Sequence, residues 1–488
     1  MMEKAQESGV ETLSGSWAPS DSRPIELVFR TVGERTSELS LEFALEHIKP
    51  QRAHVIRNVK PFRVAVQRML AIDHRCSHVL YLDADCLILE DMRSFLDAND
   101  LPYVDCYGHD RFRGLINRGV HITRVDVVCA MRALPEPVGD LRYALFPESH
   151  LRNLALFQLG FRKQYKNFCI LHDYFQWYSE IFAKNALCEL RNRASFYDNA
   201  AFYEACFQAS MSRWGDSIEF DVARRAVRHA ASMVPPDAEP ADVDRYIRNL
   251  PLVAQTEVEK LGLSQSNWVS IEEVEQAVAA DLAGLDPRLA KPKVFGIGLS
   301  RTGTRSLTVA LHTLGFDTVH YPIDRATLDT LTRGDARFSL LDHYDGITDI
   351  TIVPYYKDLD RAWPGAKFVL TVREEESWLR SCRDHWAKGL MNHNGESDEH
   401  RLRGEIQRFI RVAVYGSEEF DEDRFRHAYR CHVDSVLRYF EGRERDLLIL
   451  NIAAGDGYER LAPFLGVAAP GQPFPHRGKR LANELEDL

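Results

Sequence analysis

Apolar and polar residues change their pattern twice along this chain of 488 residues. From Ile25 to about Phe207, apolar strand-like runs such as "IELVFRTVG" and "HVLYLDADCLIL" alternate with helix-like segments such as "FRVAVQRMLAI". The next stretch has helical spacing only, and the alternation of strands and helices returns near Lys293. Alternation of this kind is typical of α/β domains, so the pattern predicts two of them joined by a helical segment.

The boundaries between these parts follow from local composition. Residues 1–22 carry no apolar core of a signal peptide, and we expect a disordered tail there. Residues 23–206 are then the first α/β domain, 207–290 the helical connector and 291–488 the second α/β domain. In the connector, the pair Ser270 and Glu273 has the spacing of a helix capping box.

Composition excludes several classes of protein. The net charge of -11 argues against a general nucleic-acid binder, and we expect no nucleic-acid partner. The chain contains no run of about 18 apolar residues, so the sequence predicts no membrane span. The 9 cysteines are scattered without C-x-x-C pairs, which favours reduced thiols and a cytoplasmic location over a disulfide framework or a zinc site. The oligomeric state remains open.

The stretch "VFGIGLSRTGTRSL" predicts a strand, a glycine-rich turn and the start of a helix. Such a turn directs backbone N–H groups and the helix dipole at one point, so we expect an anion at residues 300–305. Gly298 and Gly303 have P-loop spacing, but the Lys-Ser/Thr pair that holds Mg²⁺ in P-loop nucleotidases is missing, and Arg301 stands inside the loop. An arginine supplies a permanent charge and a planar donor fork. Open alternatives are a turn without a ligand and a relative of P-loop kinases.

Three separated motifs carry a resemblance in the second domain. "GLSRTGTRSLTVALHTLGF", "YYKDLDRAWPGAKFVLTVREEESWLRSC" and "GDGYERLAPFLGVAAPGQPFPH" occur in this order between about Lys293 and Arg477. Together they resemble the P-loop-like sulfotransferases that use 3′-phosphoadenosine 5′-phosphosulfate (PAPS). The resemblance implies a P-loop-like domain with a parallel sheet, and PAPS as co-substrate.

The same resemblance assigns roles to individual residues. Arg301 would touch the bridging oxygen, where negative charge grows as the sulfuryl group leaves. Arg373 and Ser381 would clamp the 3′-phosphate, although a surface ion pair with the acidic run at 374–376 is the alternative for Arg373. The loop that would bind the 5′-phosphosulfate consists of Ser300, Arg301, Thr302, Gly303, Thr304, Arg305 and Ser306.

Sulfuryl transfer to a hydroxyl also needs a proton acceptor within hydrogen-bond reach of that hydroxyl. His320 and Asp349 stand at the ends of the next two strand-like runs, with His343 and Glu374 as further candidates. We take His320 as the first choice for the base.

In the first domain, Asp83 and Asp85 are two residues apart near the end of an apolar strand-like run. On one strand both side chains would project to the same face. Two such carboxylates suit Mg²⁺ or Mn²⁺ bridging a diphosphate, and without a cation their burial would cost several kcal/mol.

This domain resembles the GT-A glycosyltransferases, a family with a Rossmann-like mixed sheet that uses nucleotide-sugar donors. The segments that carry the resemblance are "ELVFRTVG", "NVKPF", the D-x-D run, "NRGVHI" and "LHDYFQWY". It implies that Arg30 and Thr31 line the nucleotide and that Asp83 contacts the ribose or metal-bound water. It also implies that Asp85 binds the metal, that His172 contacts the metal or the diphosphate and that Asp173 is the base, so the predicted metal residues are Asp83, Asp85 and His172.

The two resemblances predict a bifunctional enzyme that transfers a sugar from a nucleotide-sugar and a sulfuryl group from PAPS to the same small-molecule or glycan product. The alternative is a sulfotransferase alone, with the first half a degenerate module that binds the acceptor.

Overall fold

The structure is a computed structural model that describes residues 9–137, 139–193, 199–281, 291–387 and 398–475. It forms two compact units. The first comprises residues 1–158 and 168–287, and the second comprises residues 159–167 and 288–487. The short segment 159–167 therefore belongs to the second unit, although the rest of that unit starts only at residue 288.

The first unit contains most of a mixed eight-stranded sheet, and the opening residues 164–167 of its last strand belong to the segment 159–167. Its strands are Val10–Leu13 (β1), Ile25–Thr31 (β2), Arg52–Arg57 (β3), His78–Asp83 (β4), Cys86–Ile88 (β5), Tyr103–Asp110 (β6), Gly114–Arg124 (β7) and Gln164–His172 (β8). Their order in the sheet is β1-β3-β2-β4-β7-β6-β8-β5. β2 lies parallel to β3 and β4, whereas β7 lies antiparallel to β4 and β6. Every residue of β2 is buried, as expected for a strand covered on both faces.

Eleven α-helices of the described chain belong to this half of the sequence. They are Ser37–Ile48 (α1), Phe62–Leu70 (α2), Arg93–Ala98 (α3), Val125–Ala133 (α4), Leu141–Leu145 (α5), Pro147–Leu159 (α6), Tyr178–Asn192 (α7), Asn199–Trp214 (α8), Ile218–Met233 (α9), Pro240–Lys260 (α10) and Ile271–Asp281 (α11). Helices α7 to α10 share one apolar core in which Phe182, Phe207 and Phe220 are almost fully buried. The described part of the predicted connector, 207–281, consists mainly of helices and belongs to the first unit, and residues 282–290 lie outside the described residues.

The capping box at the start of α11 is formed as expected. The backbone N–H of Ser270 donates to the Glu273 carboxylate at 2.9 Å, and the N–H of Glu273 donates to Ser270 Oγ at 3.3 Å.

Two local expectations for this half need correction. Part of the expected disordered tail is ordered, because Val10–Leu13 pairs antiparallel with β3 and covers its outer edge. The D-x-D run is also not one strand: β4 ends at Asp83, a turn holds Asp85, and β5 starts at Cys86. The two carboxylates therefore do not share one face of a continuous strand.

The second unit contains a five-stranded parallel sheet, which confirms the predicted parallel α/β arrangement. Its strands are Val294–Gly296 (β9), Thr318–His320 (β10), Gly346–Thr348 (β11), Lys367–Thr371 (β12) and Leu447–Leu450 (β13). Their order is β10-β11-β9-β12-β13. The central position of β9 places the glycine loop that follows it at the carboxyl edge of the sheet, where α/β proteins bind ligands.

The helices of the second unit surround this sheet. They are Thr304–Thr313 (α12), Arg325–Arg333 (α13), Tyr356–Ala362 (α14), Glu375–Ala387 (α15), Asp398–Tyr415 (α16), Glu422–Tyr439 (α17) and Tyr458–Leu465 (α18). Three 3₁₀ helices complete the described elements: Ser339–Asp342, Ile350–Tyr355 and Ile452–Ala454. The largest buried cluster gathers apolar side chains of β9, β11, β12 and α14 to α17 around Trp378.

Among the described residues, no helix is both long enough and apolar enough to cross a bilayer. The 9 cysteines are all free thiols.

Candidate active site

The glycine loop of the second unit connects β9 to α12 at the centre of the parallel sheet. Gly298 lies against β12, where an added Cβ would stand 1.8 Å from Thr371 Oγ1 and 2.8 Å from the Thr371 carbonyl oxygen. Only glycine fits this position, so the loop can pass close to the neighbouring strand. Thr302 fastens the loop, since its Oγ1 lies 2.6 Å from Thr371 Oγ1 and donates to the Leu299 carbonyl at 2.6 Å.

The far end of the loop has the backbone conformation of an anion cradle. Gly303, the residue immediately before helix α12, has a left-handed φ of 108°. Arg301 adopts a left-handed φ of 71°, which is costly for a residue with a side chain and is held here by its surroundings. The Trp378 indole N–H donates to the Ser300 carbonyl at 2.8 Å and so fixes the peptide before Arg301. The amides of residues 300–305 therefore stand at a helix N-terminus, where an anion is stabilised.

Two arginines lie at this cradle. Arg301 is exposed on the loop, and its Nε donates to Ser381 Oγ of helix α15 at 3.2 Å. Arg373, two residues beyond β12, donates from Nε to Ser377 Oγ at 3.0 Å and reaches the Arg301 carbonyl at 3.5 Å. Burial and the nearby Arg301 guanidinium lower the pKa of Arg373. Like charges repel each other here, so an anion bound between them would be stabilised by both.

The alternative partner of Arg373, the acidic run at 374–376, is engaged elsewhere. The Glu374 carboxylate accepts from the backbone N–H groups of Glu376 and Ser377, and Glu375 forms ion pairs with Arg426 and Arg430. Among the described residues, Arg373 has no ion-pair partner.

The candidate bases lie beside the first helical turn of α12. His320 ends β10 and Asp349 follows β11, and their Nε2 and Oδ2 atoms are 3.6 Å apart. Thr304 Oγ1 donates to the Asp349 carboxylate at 3.3 Å. Burial and the guanidiniums of Arg162 and Arg305 lower the pKa of His320 well below its ordinary value. The imidazole is therefore neutral near pH 7 and able to accept a proton.

Burial changes the pKa of Asp349 in the opposite direction from that of His320. Burial raises its pKa, although Arg162 and Arg305 favour the ionised form. Its backbone φ of 87° is again unusual for a residue with a side chain. Strained backbone and an altered pKa at one position are frequent at functional sites.

The predicted loop residues thus lie together with Arg373, Ser381, His320 and Asp349 within one unit. Thr304 and Ser306 are buried at the start of α12, and Thr302 is buried under the loop. The other two candidate bases, Glu374 and His343, make different contacts. Glu374 caps the start of α15, and the carbonyl of His343 accepts a hydrogen bond from Lys166.

In the first unit, the residues predicted for a nucleotide-sugar lie at the carboxyl ends of β2 and β4. Arg30 donates from Nε to Asp83 at 2.8 Å and also pairs with the buried Glu148. Thr31 Oγ1 donates to the Glu34 carboxylate at 2.7 Å.

Asp85 and its neighbours form a buried charge network. Lys184 of α7 forms ion pairs with both Asp85 and Asp173, the latter at 2.7 Å. Arg113 pairs with Asp173 at 3.0 Å and with Asp110 at 2.7 Å. Protein cations therefore already balance these carboxylates.

His172 belongs to the same network, with Nδ1 2.6 Å from the Asp110 carboxylate and Nε2 3.7 Å from that of Asp85. Burial opposes its protonation, but Asp173, Asp85 and Asp110 together raise the pKa of His172.

The metal site at Asp83, Asp85 and His172 stays a prediction. Potential ligand atoms of Asp85, Cys86 and His172, and likewise those of Asp110, His172 and Asp173, lie within 4.8 Å of one another. However, Asp83 is engaged with Arg30, Asp85 with Lys184 and His172 with Asp110. Lys184 and Arg113 were not predicted, because neither belongs to a motif and both reach Asp173 from other elements of the fold.

One family model matches within the second unit. The family model described as "Sulfotransferase domain" matches residues 293–482. The "Ava biosynthesis cluster protein M" of Aspergillus versicolor is 26% identical over 215 residues, covering 38% of this chain and 80% of that protein. A solved sulfotransferase from Alicyclobacillus acidocaldarius aligns with a TM-score of 0.26 and 16% identity, covering 40% of this chain and 90% of that chain.

The family match starts at β9 and contains the glycine loop, both candidate bases and Arg373. Residues 1–292 lie outside it. Of the two transferase halves expected from the sequence, the glycosyltransferase half is therefore without support from a family match, and sulfuryl transfer by the C-terminal half is supported. Residues 293–482 of this chain are a sulfotransferase domain.

Proposed function

We propose that the second unit transfers the sulfuryl group of PAPS to a hydroxyl of a small-molecule acceptor. The observation that carries this proposal is the contact between Arg373 and the amide-lined turn that contains Arg301, within a sulfotransferase domain. Two guanidiniums without a carboxylate between them suit a donor with two separate anionic groups.

The donor would bind with its 5′-phosphosulfate on the loop and its 3′-phosphate beside helix α15. Backbone amides and hydroxyls of residues 300–306 would hold the phosphosulfate at the N-terminus of α12. Arg373 and Ser381 would contact the 3′-phosphate, and binding there would replace the present hydrogen bond between Arg301 and Ser381. Arg301 would then be released to reach the bridging oxygen.

In the reaction, the acceptor oxygen forms a bond to sulfur while the bond from sulfur to the bridging phosphate oxygen breaks. The acceptor proton passes to the neutral His320, and the electron pair of the broken bond remains on 3′,5′-bisphosphoadenosine (PAP). Arg301 stabilises the charge that grows on this leaving oxygen. Asp349, 3.6 Å from His320, stabilises the imidazolium that results.

Direct titration tests the donor assignment. We expect calorimetry on the full chain to detect PAP binding without added metal, and Arg301→Ala to weaken it. Tight binding of ATP–Mg²⁺ with no response to PAP would overturn the proposal in favour of a relative of P-loop kinases.

For the first unit, we favour a module that binds the acceptor over a second transferase. Lys184 stands where the predicted glycosyltransferase needs a metal ion, and this contact is the observation that favours the module. Glycosyl transfer remains the second candidate, since Arg30 and Asp83 lie at the ends of adjacent parallel strands where α/β sheets bind nucleotides. A nucleotide-sugar added with PAPS and acceptor distinguishes the two: a glycosylated and sulfated product that is lost in Asp85→Ala would establish the transferase.

A further inference from the structure

The segment 159–167 contacts the edge strand that carries the proposed base. The side-chain amide of Gln164 contacts both backbone groups of His320: its Nε2 donates to the His320 carbonyl at 3.2 Å, and its Oε1 accepts from the His320 N–H at 3.3 Å. Lys166 Nζ donates to the Asp317 carboxylate at 3.1 Å, just before β10. In the described sheet, β10 is an edge strand that pairs with β11. The Gln164 side chain therefore hydrogen-bonds to the backbone of His320 on the edge that pairs with no strand of that sheet.

Arg162 lies in the same segment, and its guanidinium stands 4.8 Å from the centre of the Tyr321 ring. Tyr321 follows His320 directly. Within the described parts of the chain, the Arg162 guanidinium has neither a hydrogen-bond acceptor nor an ion-pair partner. It nevertheless acts electrostatically on His320 and Asp349, so the charge lies close to both candidate bases.

Other positive charges accompany Arg162. The charged groups that act most strongly on Tyr321 are the guanidiniums of Arg162, Arg403 and Arg411 and the carboxylate of Asp349. Arg403 and Arg411 are both buried on helix α16, and Arg403 donates to the Gly160 carbonyl at 2.6 Å.

We propose that Arg162 is a binding residue of the acceptor site and that it holds a carboxylate of the acceptor. This inference rests on the proposed function, because the anionic groups of PAPS are assigned to Arg301, Arg305 and Arg373. An acceptor hydroxyl must come within hydrogen-bond reach of His320, and Arg162 stands beside that position. A planar guanidinium without a protein partner can receive a carboxylate through two parallel hydrogen bonds.

The sulfotransferase site is therefore completed by a segment that precedes the matched domain in the chain. The segment 159–167 positions His320 through Gln164 and adds a specificity residue through Arg162. Its role follows from its membership of the second unit and does not depend on any activity of the first.

The test compares 4-hydroxybenzoate with 4-hydroxybenzamide, two phenols that differ in charge at one group. Calorimetry on the full chain saturated with PAP should show the carboxylate binding about tenfold more tightly than the amide, since a charge-assisted pair contributes about 1.5 kcal/mol. Arg162→Gln should abolish this difference, and Arg162→Lys should retain part of it. Arg361→Gln, which removes an exposed arginine of the same unit, is the matched control and should leave the difference intact.

Measuring the affinity of each variant for PAP distinguishes a failure of the Arg162 inference from a failure of the proposed function. Equal affinity for the two phenols in the PAP-bound protein, or a difference that survives in Arg162→Gln, would overturn the inference while the donor site stands. A wild-type chain without affinity for PAP would overturn the proposed function itself. Unchanged PAP affinity in Arg162→Gln shows that the variant is folded and that any lost preference belongs to the acceptor site.

Discussion

Arg301 and Ser381 are joined by a hydrogen bond of 3.2 Å between Nε and Oγ, although 80 positions separate them in the chain. The contact links the loop residue assigned to the bridging oxygen with the helix residue assigned to the 3′-phosphate. Since Arg373 also reaches the Arg301 carbonyl, the two ends of the proposed donor site are coupled before the donor binds. Binding of one phosphate group should thus reorganise the contacts of the other.

Arg373→Gln should discriminate between nucleotides with and without a 3′-phosphate. Loss of a hydrogen-bonded charge contact should weaken PAP binding by about 10- to 100-fold, because such contacts contribute about 1.5–3 kcal/mol. Affinity for AMP, which lacks that phosphate, should change by less than about threefold. Calorimetry with both nucleotides measures this, and an equal loss for PAP and AMP would show that Arg373 does not contact the 3′-phosphate.

The local structure of the loop was predictable because its determinants are neighbours in the sequence. The apolar strand, the glycines at 298 and 303 and the helical spacing after Thr304 each fix the adjacent backbone, and β9, the turn and α12 follow them. The capping box at Ser270 was predictable for the same reason.

The charge partners were not predictable, since they arise from contacts between distant elements. Lys184 reaches Asp85 from a helix that starts almost a hundred residues later, and no spacing rule connects the two positions. Asp85 is buried and Asp83 is partly buried, but the identity of the compensating cation depends on tertiary packing. Arg162 likewise follows no motif, because its segment joins the second unit from outside the matched domain.

Gly298→Ala should damage the donor loop, because the new Cβ would meet both the side chain and the backbone of Thr371. We expect the free energy of unfolding to fall by about 2 kcal/mol, a usual result of overpacking, together with a loss of PAP affinity. Gly404→Ala in helix α16 is the control: nothing lies within 4 Å of an added Cβ, and the free energy should rise by up to about 1 kcal/mol. Denaturant unfolding of both variants checks the pair, and an unaffected Gly298→Ala loop would refute the close approach.

The pH dependence of sulfuryl transfer should reflect the neutral state of His320. A base must be unprotonated, and burial with two nearby guanidiniums lowers the pKa of His320 well below the ordinary 6.5. The rate should therefore fall only at pH values well below 6.5 and should stay level as pH rises through neutrality. His320→Gln should reduce kcat by about 10²- to 10⁴-fold with PAP affinity unchanged.

Asp349→Asn provides the comparison for this prediction. If His320 is the base, loss of the Asp349 carboxylate should reduce kcat less than His320→Gln does, because the imidazole still accepts the proton. The reverse order of the two effects, or an acid limb at or above pH 6.5, would assign the role of base to another group.

Removal of metal should leave the first unit unchanged, because Lys184 already supplies the positive charge between Asp85 and Asp173. Neither EDTA nor Mn²⁺ should shift the unfolding temperature of the wild-type chain. Lys184→Met removes the lysine partner of the buried Asp85, while Asp173 keeps its ion pair with Arg113, and we expect the free energy of unfolding to fall by about 3–5 kcal/mol. Thermal unfolding of the full chain with and without Mn²⁺ measures both effects.

Mn²⁺ should recover part of the stability lost in Lys184→Met, since the vacated position then offers carboxylate oxygens to a hard cation. Lys49→Met is the matched control: its ion pair with Asp91 is partly exposed, so the variant should lose at most about 1 kcal/mol and should not respond to Mn²⁺. If Mn²⁺ stabilised the wild-type chain through Asp85, the metal would have displaced the Lys184 ammonium. That result would support glycosyl transfer by the first unit.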